Sequence, residues 1–150
     1  SSSSSTISNG WYYIKNVNAQ KYLQVKNNQG GNSVNVEIGT GTGVRGQKWY
    51  VTNTSDGYFT LKNGNGYMLD VQYGANNDGQ NIQTYSANNA NAQRFKAVKI
   101  GNSNAYVIVT KISSGKKALD VYNWSKSDGA NVCQWSYYGN ANQQWIFEKC

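Results

Sequence analysis

The sequence predicts an all-β fold built from three copies of one four-stranded unit. Three observations predict it. A Leu-x-Val element occurs three times, as Tyr22-Leu23-Gln24-Val25, Met68-Leu69-Asp70-Val71 and Ala118-Leu119-Asp120-Val121. Each is followed by a Gln-x-aromatic close, Gln47-Lys48-Trp49, Gln93-Arg94-Phe95 and Gln143-Gln144-Trp145, and the Leu-to-aromatic separation is 26 residues every time. A constant internal frame, with offsets of 46 and then 50 residues between copies, marks one structural unit repeated. The composition agrees: 16 Gly, frequent Asn, 12 Tyr, 5 Trp and no Pro suit short strands joined by tight turns.

Each repeat opens with a run rich in aromatic and β-branched residues: Gly10 to Val17, Gly57 to Asn63 and Ala105 to Lys111. Asp56-Gly57 ahead of the second run is a hairpin signal. Asn63-Gly64-Asn65-Gly66 and Ser113-Ser114-Gly115 then turn the chain into the Leu-x-Val strands. A polar loop ending in Asp78-Gly79 or Asp128-Gly129 leads to a third strand, Asn81 to Tyr85 or Asn131 to Trp135, and the Gln-x-aromatic close carries the fourth. About twelve strands result, with no convincing amphipathic helix. Leu23, Leu69, Leu119, Trp49, Phe95 and Trp145 are the expected core. One domain is expected at 10–150, with repeats at about 10–54, 55–103 and 104–150, after a Ser-rich linker at 1–9. A chain of this length buries roughly 70% of its unfolded surface.

The residue inventory excludes several functions. There is no His, which removes the usual general base, the catalytic triad and most metal sites. Of the seven acids, Asp56, Asp78 and Asp128 each precede Gly and read as turn formers. Asp70 and Asp120 occupy the same place in different repeats, so they cannot form the paired carboxyls of a glycosidase, about 5–10 Å apart. No catalytic residue, metal or cofactor is expected. The net charge is +7, but Lys and Arg are scattered, with Lys116-Lys117 the densest cluster, so a nucleic-acid partner is not expected. No apolar run of about 18 residues is present, and no membrane partner is expected. Cys133 and Cys150 leave the question of a disulfide open.

Differences between the repeats point to binding. Counting from the central residue of Leu-x-Val, Asp70 is followed at +15 by Tyr85, and Asp120 by Trp135. A carboxylate accepts hydrogen bonds from two vicinal hydroxyls, and an aromatic face packs on the C–H face of a sugar ring. Repeat one has Gln24 and Gly39 at those places, yet keeps Leu23, Val25, Gln47 and Trp49. The alternative for Asp70 and Asp120 is a bond to the local backbone. The closing Gln residues are expected to bond to backbone. Tyr73, Tyr122 and Trp124, in the loops after each Asp, either widen the platform or are incidental packing or exposed scatter.

Three repeats with Leu-Asp-Val and Gln-x-Trp resemble the ricin B-type β-trefoil, and the stretch from Ala118 to Trp145 is similar to family 13 carbohydrate-binding modules of bacterial polysaccharide-degrading enzymes. The resemblance spans residues 10–150 and implies a six-stranded barrel capped by three hairpins. It assigns the hydroxyl clamp to Asp70 and Asp120 and the stacking face to Tyr85 and Trp135. It carries a polar or aromatic contact at +18 onto Asn88 and Tyr138, and an Asn at +22 onto Asn142. Repeat two departs with Ala92 at +22, which implies either a weaker site or substitution by Asn91; repeat three departs with Cys133 in place of the Gln kept at Gln83. The implied function is non-catalytic binding of plant polysaccharide or oligosaccharide of xylan, galactan or arabinan type, with a covalently linked glycoside hydrolase and a secreted, extracellular location. Two rivals stay open. One is a trefoil that binds protein or acidic glycans through its basic surface. The other is the lectin subunit of a toxin or haemagglutinin.

Overall fold

The computed structural model describes residues 7–150 and contains twelve strands: β1 (Gly10–Asn16), β2 (Tyr22–Val25), β3 (Val34–Gly39), β4 (Trp49–Asn53), β5 (Phe59–Asn63), β6 (Met68–Val71), β7 (Gln80–Tyr85), β8 (Phe95–Lys99), β9 (Ala105–Thr110), β10 (Lys117–Val121), β11 (Val132–Ser136) and β12 (Gln144–Lys149). All pairings are antiparallel. Strands β1, β4, β5, β8, β9 and β12 pair in sequence around a closed ring, β1 returning to β12. Closure removes the exposed sheet edge that a strand would otherwise present. The hairpins β2–β3, β6–β7 and β10–β11 cap one end. This is the β-trefoil: four strands per repeat, three repeats.

The pattern of side chains explains the barrel. Along β1, Tyr12, Ile14 and Asn16 are buried and alternate with less buried neighbours, as a strand with one inward face requires. Leu23, Leu69, Leu119, Trp49, Phe95 and Trp145 are all fully buried. The 26-residue frame has a direct cause. The Trp49 indole N–H donates to the Leu23 carbonyl at 3.0 Å, and Trp145 donates to Leu119 at 3.2 Å. Phe95 fills the same position in repeat two without a donor.

The three caps are tied by a set of bonds that repeats around the axis. Asn35 donates to Asn131, Asn131 to Asn81 and Asn81 to Asn35, at 2.8, 2.8 and 2.7 Å, closing a head-to-tail ring of side-chain amides. Outside it, the +9 amide of each repeat donates to the +14 carbonyl of the next: Ser33 to Thr84, Gly79 to Gln134 and Gly129 to Ile38. Asn32, Asp78 and Asp128, all at +8, accept from the side chains of Ser86, Ser136 and Thr40 at +16 of the following repeat. The turn-forming aspartates are therefore also clasps between repeats.

Of the expected linker at 1–9, residues 1–6 lie outside the described residues. Within the described residues, Ile7, inside the expected linker, is buried, and its carbonyl accepts from Asn53 at 2.7 Å. Cys133 is buried and Cys150 exposed, both as free thiols; burial pushes the Cys133 thiol up to about 12.

Candidate functional site

Two cavities sit on the cap, one in repeat two and one in repeat three. The first, of about 410 Å³, is lined by Asp70, Gln83, Tyr85 and Asn88, with Tyr73 at its rim. The second, of about 300 Å³, is lined by Asp120, Trp135, Tyr138 and Asn142, with Tyr122 and Trp124 at its rim. The structure thus gathers all seven sequence-predicted residues, Asp70, Tyr85 and Asn88 in one cavity and Asp120, Trp135, Tyr138 and Asn142 in the other.

The aspartates are less exposed than surface clamp residues are expected to be. Asp70 is 5% and Asp120 7% exposed, so each forms the floor of its cavity. The closing Gln holds each one there. Gln93 donates from Nε2 to Asp70 Oδ2 and to the Ser86 carbonyl, both at 2.9 Å, and Gln143 donates to Asp120 Oδ2 at 2.9 Å and to the Ser136 carbonyl at 2.8 Å. The carbonyl oxygens of these side chains accept loop amides, from Asn88 for Gln93 and from Tyr138 and Gly139 for Gln143. The backbone bonds expected of the closing Gln are present. Sequence reasoning missed that its remaining amide hydrogen aims the carboxylate, although the constant spacing of Asp and Gln carries that signal.

Each carboxylate has a second amide beside it, supplied differently. In repeat three, Asn142 donates to Asp120 Oδ1 at 3.1 Å and is itself buried, so it sits behind the acid as well as lining the cavity. In repeat two, where Ala92 replaces that Asn, Gln83 faces Asp70 across the β6–β7 pair and favours its charged form. The reverse holds on β11, where Cys133 faces Asp120. Burial dominates in both sites and raises each aspartate above its ordinary value of 3.8, with the amides opposing the rise. A carboxylate oxygen that accepts one amide keeps acceptor capacity for a ligand hydroxyl.

The aromatic walls stand on the neighbouring strands. Tyr85 ends β7, directly opposite Met68, and Trp135 lies opposite Ala118. Trp135 also rests on the preceding repeat: a Cβ placed on Gly79 would lie 3.3 Å from its ring. Ser33 of repeat one likewise lines the repeat-two cavity. These cross-repeat contributions are invisible to a frame counted within one repeat. Asn88 accepts the Ala90 amide at 3.0 Å and so shapes its loop. Tyr138 is exposed and lines the repeat-three cavity. Tyr73 and Trp124 are exposed on 3-10 turns (Gln72–Gly74 and Tyr122–Trp124) at φ 62° and 57°, a conformation unfavourable for bulky side chains. Their exposure excludes burial in the core and places them at the cavity rims.

Repeat one differs physically as well as in sequence. Gln24 takes the place of the acid, accepts from Gln47 at 2.8 Å and donates to Glu37 at 2.9 Å. Its amide lies 2.5 Å from where a Cβ on Gly39 would be. The side chain therefore fills the space that the aromatic wall borders in the other two repeats. Among the described residues, no group of three His, Cys, Asp or Glu side chains is placed to hold a metal ion.

The sequence profile of the ricin-type beta-trefoil lectin domain-like family matches residues 3–85 and again 45–135. The chain is 31% identical over 103 residues to the main hemagglutinin component type C of Clostridium botulinum C phage, an alignment that takes in 67% of this chain and 35% of that protein. The match thus spans about a third of the curated relative's length. Among solved structures, a designed threefold-symmetric protein, ThreeFoil, superposes with a TM-score of 0.89 at 37% identity, covering 94% of this chain and 99% of that one. An exo-beta-1,3-galactanase from Clostridium thermocellum superposes with a TM-score of 0.87 at 30% identity, covering all of this chain (100%) and 32% of that one. With its profile matched across both halves and its trefoil closed, the chain belongs to the ricin-type beta-trefoil lectin domain-like family.

Proposed function

We propose that this domain is a non-catalytic carbohydrate-binding module that holds an attached glycoside hydrolase against plant cell-wall polysaccharide outside the cell, through the cavities of repeats two and three. The observation that carries the reading is the pairing of a cavity-floor carboxylate, aimed by a closing Gln, with an aromatic wall on the adjacent strand, present twice and missing from the third repeat. Asp70 and Asp120 clamp vicinal hydroxyls, and Tyr85 and Trp135 stack on the ring. Asn88 and Tyr138 close the loop side, and Asn142 steadies Asp120. The galactanase supports both the attached hydrolase and β-1,3-galactan as the first polymer to test, because this chain matches only part of that longer protein. Xylan and arabinan share the same chemistry of vicinal hydroxyls and apolar faces.

The test is retention on insoluble β-1,3-galactan and xylan. Wild-type domain is expected to be retained in moderate salt, and Asp70→Asn/Asp120→Asn to pass through. Undiminished retention of that variant sinks the site assignment. Retention that vanishes with salt favours binding through the basic surface, against which stands the pairing of Lys21, Lys117, Arg94 and Lys111 with aspartates. The hemagglutinin relative favours a second reading, a lectin unit that uses the same cavities on cell-surface glycans. Agglutination of erythrocytes without retention on any plant polymer would select it.

A further inference from the structure

At the frame position of repeat one Gln24 fills the space, and a cavity lies instead beside the glycine-rich loop. It measures about 390 Å³ and is lined by Tyr13, Tyr22, Gly41, Gly43, Gln47 and Glu148. Three adjacent strands build it. Tyr13 and Glu148 face each other across β1 and β12, and Tyr22 on β2 faces Lys15 on β1. The Tyr13 and Tyr22 rings meet edge to face, 5.8 Å between centroids. Tyr22 is held still. The Lys15 ammonium lies 5.8 Å from its ring centre, Gly41 packs so close that a Cβ there would approach the ring to 2.7 Å, and its hydroxyl donates to Glu148 Oε1 at 2.8 Å. Among the described residues, Glu148 Oε2 has no hydrogen-bond partner.

We propose that this cavity is a third carbohydrate site, for one pyranose residue, built from an acid and two aromatics that lie off the repeat frame. The inference rests on the sugar-binding reading above. The chemistry is the same, a carboxyl acceptor held beside aromatic surface, but the acid comes from the last repeat and the aromatics from the first. Such a site cannot recur around the axis. Aligned on the pairs Lys15–Tyr22, Lys62–Met68 and Val109–Ala118, the places of Tyr13 are taken by Thr60 and Val107 and those of Tyr22 by Met68 and Ala118. Counted from the closing aromatics, Glu148 corresponds to Thr52 and Val98. Repeat one, which lacks acid and aromatic at the frame positions, carries both one strand over. The loop Gly39 to Gly43 is what leaves the cavity open, because Gly41 and Gly43 put no side chain into it.

The experiment silences the two frame sites with Tyr85→Ala/Trp135→Ala, whose side chains wall the cavities. Amide NMR then follows titration with lactose, xylotriose and β-1,3-galactobiose. The expected result is a saturable shift of the Gly41, Gly43 and Glu148 amides with at least one sugar. Glu148→Gln in that background should weaken it at least tenfold without altering the rest of the spectrum. The third site is overturned if those amides stay fixed while wild-type amides around Asn88 and Tyr138 respond. If no amide of the wild-type protein responds to any of the three sugars, the sugar-binding reading fails and the third site fails with it.

Discussion

On the proposed reading, Asp70 and Asp120 govern both affinity and stability. Burial raises both above 3.8, so the carboxylates proposed to clamp the sugar are partly neutralised at a pH where ordinary surface aspartates are still charged. Sugar affinity in these cavities is therefore expected to fall on acidification before pH 3.8 is reached, and calorimetry across pH 3.5–7 reads it. A folded-state value raised above the unfolded one contributes stability that is fully present below 3.8 and is lost as pH rises through the folded value. At neutral pH the two charged aspartates thus oppose folding. Asp70→Asn, which keeps an oxygen for Gln93, is expected to leave the melting temperature unchanged or raised while abolishing binding in its own cavity. Asp120→Asn sets its new amide against the Asn142 donor, so Asp120→Asn/Asn142→Asp, which restores an acceptor there, is the matching variant in repeat three. A clear drop in melting temperature would show the acids to be structural instead. Asp56, Asp78 and Asp128 have the opposite sign. Lys111 and Thr54 lower Asp56, Ser136 and Lys117 lower Asp78, and Thr40 lowers Asp128, so their contribution is present above 3.8 and lost as pH falls through the lowered values. At the core, Trp145→Ala should cost about 3–5 kcal/mol in urea unfolding. Trp145→Phe should cost less, because Phe95 already fills the equivalent position in repeat two.

Among the elements, the turn before each third strand joins one repeat to the cavity of the next. Gly79 has φ 84° and lies against the Trp135 ring, while its amide donates to the Gln134 carbonyl at 2.7 Å. Gly79→Ala is expected to destabilise the domain by roughly 1 kcal/mol through the positive φ. It should also weaken sugar binding at Trp135 while leaving the Asp70 cavity unaffected, a split that site-resolved NMR titration detects. Equal loss at both cavities would mean that the turn acts only through global stability. The elements themselves were legible in the sequence because the frame repeats: Leu-x-Val and Gln-x-aromatic recur at fixed separation, and that separation is the distance over which Trp49 and Trp145 reach the Leu carbonyl. The acid and aromatic of each cavity were legible for the same reason. What the frame could not show crosses repeats. The packing of Gly79 under Trp135, the place of Ser33 in the repeat-two cavity and the Tyr13–Tyr22–Glu148 cluster all join residues with no constant spacing. Nor could it show depth, because Asp70 and Asp120 are covered by side chains that the frame does not rank, the closing Gln together with Gln83 beside Asp70 and Cys133 and Asn142 beside Asp120.

At the scale of the whole molecule, threefold symmetry directs separate cavities around one rigid cap. The Asn35–Asn81–Asn131 ring and the clasps at Asn32, Asp78 and Asp128 fix the repeats to one another, so a long ligand meets sites at set spacing. Each cavity is shallow and offers one stacking face and one carboxylate. An aromatic contact adds on the order of 1 kcal/mol beyond buried area, and hydrogen bonds to a charged group about 1.5–3 kcal/mol. Affinity for a small sugar should accordingly be weak, with strength on polymer coming from occupancy of more than one site. Binding at a second site of a rigidly held pair is governed by effective concentration, which raises avidity by roughly 10²-fold or more without any new contact. Trp135→Ala is therefore expected to leave the small-sugar affinity of the Asp70 cavity unchanged within twofold, yet to lower retention on insoluble polysaccharide by at least tenfold. Gln24→Ala, in the repeat whose frame position is filled, should change neither quantity at the Asp70 and Asp120 cavities. Paired calorimetry and polymer-retention measurements decide the matter. If Trp135→Ala reduces retention only in proportion to the one site removed, the sites do not engage a chain together, and the arrangement around the axis serves binding of separate glycans instead.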